Sequence, residues 1–285
     1  MTTAMPGPWV DYSTPDPLPW TDNRGVVKFI EFPVRIPAMS RRAFHLYWLK
    51  HHSPHVMNVT SFSQFMRKYS TGHVYPEPVP GLPPHYRQDT PFEGAAEVWI
   101  NSLDEVASWL GHPLYAELIG PDEPRFIAQN GSVEVILARE ERLYEPEPDL
   151  HEQGLTKLYL LLKGRNDLGH DEMHAAISGL ARNLLMHDSM RTLLRKLVVS
   201  HRLRPPAIEG LAMAEIDAVV ELWFGDLDAL ARFFADPAYT AIQRLEARAV
   251  DVASIRAVVG RMNVVHDEFS FQSSTTQPMG FGGYP

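Results

Sequence analysis

Residues 92–115 read FEGAAEVWINSLDEVASWLGHPLY, and residues 216–239 of the same chain read IDAVVELWFGDLDALARFFADPAY. The two stretches align without a gap, and hydrophobic residues match each other between the identities. Seven of the 24 positions are identical: Glu97 and Glu221, Trp99 and Trp223, Leu103 and Leu227, Asp104 and Asp228, Ala107 and Ala231, Pro113 and Pro237, and Tyr115 and Tyr239. This match predicts an internal repeat.

The match extends towards the N-terminus of each copy. Arg67, Lys68 and His73 face Arg195, Lys196 and His201, and Lys28 faces Lys157. Hydrophobic patterns in the first copy predict strands at 25–35, 64–74, 93–100 and 132–143, and helices at 41–54 and 103–118. Strand, helix, strand, strand, helix, strand is the ferredoxin-like order.

The repeat predicts an α+β fold of two ferredoxin-like βαββαβ domains in tandem, at 25–147 and 154–266. A four-stranded sheet whose helices cover one face needs a cover for the other face. We expect the two antiparallel sheets to pack face to face, as a closed barrel within one chain. Residues 1–24 form a predicted arm rich in proline and aromatic residues, and 267–285 form a tail that carries no charge from Phe269 onward.

Composition excludes several classes of function. The net charge of −9 and the pI near 5.8 argue against a nucleic-acid surface, which needs a basic patch. No apolar run is long enough for a membrane span, and the N-terminus does not have the pattern of a signal peptide. The chain has no cysteine, so it has no disulfide and no thiolate nucleophile. We therefore expect a cytoplasmic protein without nucleic-acid or membrane partners.

Residues 44–55, FHLYWLKHHSPH, contain four of the 13 histidines. Histidine changes its charge near neutral pH, so this density indicates a functional helix. Ser40 is a candidate N-cap, and Ser53 is expected to end or kink the helix because it precedes Pro54. The alternative is a helix with an ordinary apolar face and histidines at its edge.

The stretches YWLKHHSPHV (47–56), RKYSTGHV (67–74) and FEGAAEVWINSLDE (92–105) together resemble the EthD family of dimeric α+β-barrel proteins. The places of the family pattern are filled by Tyr47, Trp48, His52, Ser53, Pro54, Tyr69 and His73. Gly72 departs from the pattern, which often has asparagine there. The resemblance covers residues 26–145 well and 155–265 weakly.

The resemblance implies a lyase that works without a cofactor, a decarboxylase or dehydratase, on a small aromatic or polyketide-like substrate. The alternatives are an isomerase or cyclase on a similar substrate, and a non-catalytic barrel that binds a hydrophobic small molecule. No nucleotide-binding loop and no nucleophile elbow is present in the sequence.

His52 and His73 are the predicted acid and base, and Tyr69 is the predicted donor to a developing oxyanion. We expect the substrate to lie against Trp48, Tyr47, His45 and Trp99. The second copy has Ile177, Ala181 and Asn183 where the first has Trp48, His52 and Pro54. A single site in the first half is therefore expected, although Trp99 and His73 recur as Trp223 and His201, which favours a structural role for them.

A metal ion and an organic cofactor are not expected. His51 and His55 have the i, i+4 spacing of zinc ligands, but the Ser53-Pro54 break disturbs it and no carboxylate lies between them. The expected partners are a small hydrophobic substrate and a second copy of the chain, held through the N-terminal arm and the C-terminal tail.

Overall fold

The computed structural model describes residues 25–129, 133–147, 150–204 and 213–269. The strands are β1 (Val27–Phe32), β2 (Lys68–Val74), β3 (Gly94–Ile100), β4 (Glu134–Tyr144), β5 (Thr156–Leu162), β6 (Leu194–Arg202), β7 (Ala218–Phe224) and β8 (Arg256–Asp267). The predicted arm, nearly all of the predicted tail and the dimer contact expected through them lie outside the described residues.

Helices alternate with these strands in both halves of the chain. They are α1 (Arg41–Tyr47), α2 (Ser53–Asn58), α3 (Thr60–Ser63), α4 (Leu103–Leu110), α5 (His170–Leu185), α6 (Asp188–Arg191), α7 (Leu227–Ala235) and α8 (Tyr239–Ala249). Short π-helical turns span Trp48–His52 and Tyr115–Ile119, and 3₁₀ turns span Glu123–Arg125 and Val252–Ser254. The second predicted strand begins four residues late, because the chain before it is still turning after α3.

All eight strands form one closed antiparallel barrel in the order β1-β3-β2-β8-β5-β7-β6-β4. Within the first half the order is β4-β1-β3-β2, and within the second half it is β8-β5-β7-β6, which are the same arrangement. β2 pairs with β8 and β4 pairs with β6. The predicted α+β barrel is confirmed. The two sheets are joined edge to edge, however, and this pairing leaves no free edge.

Alternate side chains of each strand point into the barrel or towards the helices. Ile30, Phe32 and Tyr159 belong to the apolar part of the interior. Val27 and Phe29 point outward and pack with residues of α4 such as Val106. The two copies of the repeat are built alike, since Ser102 caps α4 and Asp226 caps α7 at equivalent positions.

Four buried charges lie at the centre of the barrel. The Nζ atoms of Lys28 and Lys157 each lie 2.6 Å from a carboxylate oxygen of Glu97 and 2.6 Å from one of Glu221. Burial alone would raise the pKa of Glu97, but the two lysines lower it to about 2. Each lysine thus contacts a carboxylate of its own half and one of the other half.

The proline-rich segment between β2 and β3 docks on the second half. Val79 and Tyr86 are buried in the apolar cluster of that half. The Tyr86 hydroxyl hydrogen-bonds with Tyr239 and donates to Glu246. This contact is a second connection between the halves, on the outside of the barrel.

We expect Lys157→Met to lower the free energy of unfolding by about 3–5 kcal/mol, because two buried carboxylates then share a single lysine. Urea denaturation followed by circular dichroism measures the loss. The matched control is Lys163→Met, which breaks an exposed contact of 3.1 Å with Glu215 and should cost less than about 1 kcal/mol. Equal losses in both variants would contradict this account of the barrel interior.

Candidate active site

The helix that carries the histidines begins as predicted and then departs from the prediction. The Ser40 hydroxyl accepts a hydrogen bond from the Ala43 N–H at 3.2 Å. The chain then widens into the π-helical turn Trp48–His52, in which the Ser53 N–H bonds to the Trp48 carbonyl, and it continues into α2. The helix does not end at Ser53, which keeps helical backbone angles; the irregularity expected there is the π-helical turn directly before it. The wide turn gives room to the Pro54 ring, which clashes with a carbonyl in a regular α-helix.

A cavity of about 70 Å³ lies between this turn and the outer face of the first-half strands. Aromatic and aliphatic side chains form most of its wall, and three of the predicted site residues are among them. The lining residues are Phe29, Glu31, Pro33, Trp48, His52, Val56, Phe62, Met66, Tyr69, Ala96, Val98, Trp109, Leu110, Tyr115, Ile119, Glu123 and Ile127. The cavity can hold several water molecules or part of a ligand.

His52 is held by a carboxylate that comes from another part of the chain. Its Nδ1 lies 2.9 Å from Asp122 Oδ2, and the Tyr47 hydroxyl donates to Asp122 Oδ1 at 2.5 Å. Burial lowers the pKa of His52, and Asp122 offsets this only in part. For Asp122 the hydrogen bonds from Tyr47 and His52 outweigh burial and lower the pKa. The result is a neutral imidazole whose Nδ1–H donates to a carboxylate, with Nε2 left as the proton acceptor.

Two further carboxyl groups line the cavity, on Glu31 and Glu123. The Tyr115 hydroxyl donates to Glu123 at 3.0 and 3.2 Å, whereas the Glu31 carboxyl group has no hydrogen bond with another described residue. Burial, and next the charge of Glu123, raise the pKa of Glu31 to about 8. Burial raises the pKa of Glu123 to about 7 against the hydrogen bond from Tyr115. Perturbed carboxyl groups in an apolar cavity are typical of acid–base sites.

Tyr69 lines the cavity from β2. Its side chain is 4% exposed, and its hydroxyl lies 3.3 Å from the Ser53 hydroxyl. Burial raises the pKa of Tyr69, so this hydroxyl keeps its proton and stays a donor. Tyr69 thus presents a protonated hydroxyl at the wall of the cavity.

His73 does not line the cavity. Its Nδ1 lies 3.0 Å from Nδ1 of His45, its Nε2 lies 3.0 Å from the Thr71 hydroxyl, and its ring packs against Trp48. Burial, followed by the charge of His45, lowers the pKa of His73 to about 3. The structure therefore does not bring His52 and His73 together, and an imidazole that stays neutral is not a proton donor at neutral pH.

The second half contains an equivalent histidine pair. The rings of His174 and His201 lie 4.5 Å apart, on α5 and β6. These positions correspond to His45 and His73 of the first half. Because the pair recurs where Ala181 replaces His52, it favours a structural role for His45 and His73.

Trp99 lies on the other face of the sheet. Its ring is inside the barrel, 4.6 Å from the Lys28 Nζ and 5.2 Å from the Lys68 Nζ. Trp223 covers Lys157 in the same way, at 3.9 Å. The predicted substrate contact of Trp99 is therefore wrong for this cavity, because its neighbours Val98 and Ala96 are the ones that point outward.

The two histidines with metal-like spacing have other contacts. The Nε2 of His55 lies 3.0 Å from the Leu118 carbonyl oxygen, and the ring of His51 packs on Tyr47. No three metal-binding side chains converge among the residues that the structure describes.

Comparison with known proteins gives the family. The model of the EthD domain matches residues 36–130 and 178–252, which together are more than half of the chain. The chain belongs to the EthD domain family. One matched segment falls in each half, and the first contains the π-helical turn, Tyr69, Asp122 and Glu123. The resemblance to the EthD family, which the sequence of residues 47–105 indicated, is confirmed. No curated protein sequence matches the chain.

Two solved structures align with most of the chain of this EthD protein. An anthrone oxidase-like protein matches with a TM-score of 0.56 and 10% identity, over 88% of this chain and 97% of that one. A chlorite dismutase from Candidatus Nitrospira defluvii matches with a TM-score of 0.47 and 13% identity, over 89% and 97%. At 10% identity the match to the anthrone oxidase-like protein shows a shared fold and nothing about activity. No helix in the described part of the chain is long and apolar enough to cross a membrane.

Sequence patterns did not single out four residues of this EthD site: Glu31, Tyr115, Asp122 and Glu123. A sequence signal for Glu31 was present, because it follows Phe29 on the apolar outer face of β1. Burying a carboxyl group there costs free energy unless the group is paired, so its presence marks a candidate functional residue. Asp122 and Glu123 lie in a turn flanked by prolines, and nothing local distinguishes them from solvent-exposed acids.

The raised pKa of Glu31 makes stability depend on pH. The folded state binds this proton up to about pH 8, whereas the unfolded chain releases it near about pH 4.5, so stability falls as pH rises between the two values. We expect the free energy of unfolding of Glu31→Gln to fall by about 1–3 kcal/mol less than that of the wild type over this pH range.

Thermal unfolding at about pH 5 and about pH 8 measures the effect. The difference in melting temperature between Glu31→Gln and the wild type should be larger at the higher pH than at the lower pH, in favour of the variant. Glu117→Gln, at an exposed position, is the matched control and should follow the wild type. If this difference in melting temperature does not increase with pH, the pKa of Glu31 is not raised in the folded protein.

Proposed function

We propose that this cavity is the active site of an enzyme that transfers protons on a small aromatic or polyketide-like substrate. The observation that supports it best is the contact between His52 and Asp122 at the wall of an apolar cavity. A lyase reaction, decarboxylation or dehydration, is the first candidate, and isomerisation or cyclisation is the next. Dehydration, isomerisation and cyclisation need a positioned base and a proton donor, decarboxylation needs a proton donor to the carbon that loses CO₂, and none needs an organic cofactor.

In this proposal His52 is the general base. Asp122 accepts the Nδ1–H bond, so it selects the tautomer in which Nε2 has a free lone pair. When Nε2 takes a proton from the substrate, the Asp122 carboxylate stabilises the imidazolium that forms. Asp122 is a positioning residue, and Tyr47 holds its second oxygen.

The remaining groups of the cavity have matching roles. The protonated Tyr69 hydroxyl can donate to the oxygen of an enolate or phenolate as negative charge develops on it. Trp48 offers a flat apolar wall to an aromatic ring. His73 packs against this tryptophan and holds its position, and His45 packs against His73 in turn.

We also propose that the two halves arose by duplication and that the second half has lost the site. Both have the same strand order, and the family model matches a segment of each. Ala181 stands where the first half has His52. A homodimer of such double barrels remains part of the proposal, since the arm and the tail are the segments expected to form it.

His52→Ala should lower kcat by about 10²- to 10⁴-fold, because the base is lost. The measurement is turnover of a panel of hydroxylated mono- and bicyclic aromatic ketones and acids, with products identified by mass spectrometry. Loss of CO₂, loss of water and an unchanged mass separate the candidate reactions. His51→Ala, one residue away and exposed, is the control and should keep its activity.

Asp122→Asn should cause a smaller loss and change the pH profile. Wild-type activity should fall as pH drops through a pKa below 6.5, because His52 acts in its neutral form. Asp122 raises that pKa, so its removal should move the acid limb to lower pH. Activity that survives in His52→Ala, or an acid limb unmoved in Asp122→Asn, would refute the assigned roles.

A further inference from the structure

The lining of the cavity has an unusual balance of charge. Two carboxyl groups, on Glu31 and Glu123, line it together with His52, and no lysine or arginine does so among the described residues. The Arg125 side chain is 70% exposed and approaches Asp122 only at 3.9 Å. A bound anion would therefore meet carboxyl oxygens and no compensating cation.

The two carboxyl groups differ in their surroundings. Glu123 already accepts hydrogen bonds from Tyr115, which suits a carboxylate. Glu31 projects from β1 on the same outer face as Phe29, and none of the described residues donates a hydrogen bond to its carboxyl group. A carboxyl group without a donor is more stable with its own proton, and the neighbouring charge of Glu123 adds to this preference.

We propose that Glu31 keeps its proton beside the Glu123 carboxylate and that this pair selects an uncharged aromatic ligand with a hydroxyl or carbonyl oxygen, to which the Glu31 O–H donates. The inference rests on the proposed function, and it names the substrate class of that same site. A ligand carboxylate is disfavoured by the charge on Glu123. An uncharged hydroxyl or carbonyl oxygen of a ligand can accept the hydrogen bond that the Glu31 O–H has no other described partner for.

This assignment favours dehydration over decarboxylation. His52 Nε2 removes a proton from the carbon next to the leaving hydroxyl, and the electrons of the C–H bond form the new double bond. The C–O bond breaks, its electrons stay on oxygen, and that oxygen takes the Glu31 proton and leaves as water. Glu31 ends as a carboxylate and His52 as an imidazolium, and exchange of one proton between them through solvent restores both.

An ammonium ligand is the competing possibility. Aromatic walls with nearby carboxylates also suit a cation. A cation needs Glu31 and Glu123 ionised, however, whereas burial in the apolar wall and the charge of Glu123 favour a protonated Glu31. The charge on the ligand therefore distinguishes the two.

The test measures binding of phenol, benzoate and benzylamine at neutral pH by isothermal titration calorimetry, on the full chain. These probes share one ring and differ in charge. Phenol should bind at least about tenfold more tightly than benzoate, and also more tightly than benzylamine. Ala96→Leu fills the cavity from β3 and should abolish phenol binding, which shows that the probe occupies this site.

Glu123→Gln should reduce the preference for phenol over benzoate severalfold, because the repelling charge is gone. Glu117→Gln should leave the preference unchanged, and circular dichroism verifies that each variant is folded. Benzoate or benzylamine as the tightest probe would overturn the proposal, as would no detectable phenol binding. The preference is measured by binding and not by turnover, so a failure of catalysis remains distinguishable from a failure of selection.

Discussion

Lys28 and Lys157 lie between the same two glutamates in the centre of the barrel, and the rest of the structure depends on this arrangement. Each lysine contacts one of these glutamates from its own half and one from the other half, so the ion pairs join the two halves. Removing ions from water is costly unless partners are in place, so the four groups favour one register of the two sheets. With the charged side chains turned inward, the alternate residues of each strand are free to form the floor of a site under the helices.

One scaffold thus carries two different outer layers. In the second half α5 runs as an unbroken helix from His170 to Leu185. In the first half the equivalent segment contains a π-helical turn just before Pro54. This turn places both Trp48 and His52 at the cavity, so a local change in helical winding distinguishes the first half from the second, where Ala181 stands at the position of His52.

The sequence predicted most of the fold and part of the site. The repeat and its hydrophobic periods predicted the order of the elements and a closed barrel. The contrast between the copies selected His52, since the second copy keeps the fold with alanine at that position. Asp122, 70 residues further along the chain, could not be predicted, because a turn between prolines has no periodic pattern that marks which of its acids faces inward.

The sequence by itself determined the order of strands and helices, the caps, the repeat and the family, because these follow from near neighbours and from the match between the two copies. The tertiary structure alone decided which groups meet. A strand side chain takes one face or the other according to its register, and this placed Trp99 in the barrel and Glu31 in the cavity. The pKa values of Glu31 and Glu123 likewise arise from burial and mutual repulsion, which exist only once distant segments have packed together.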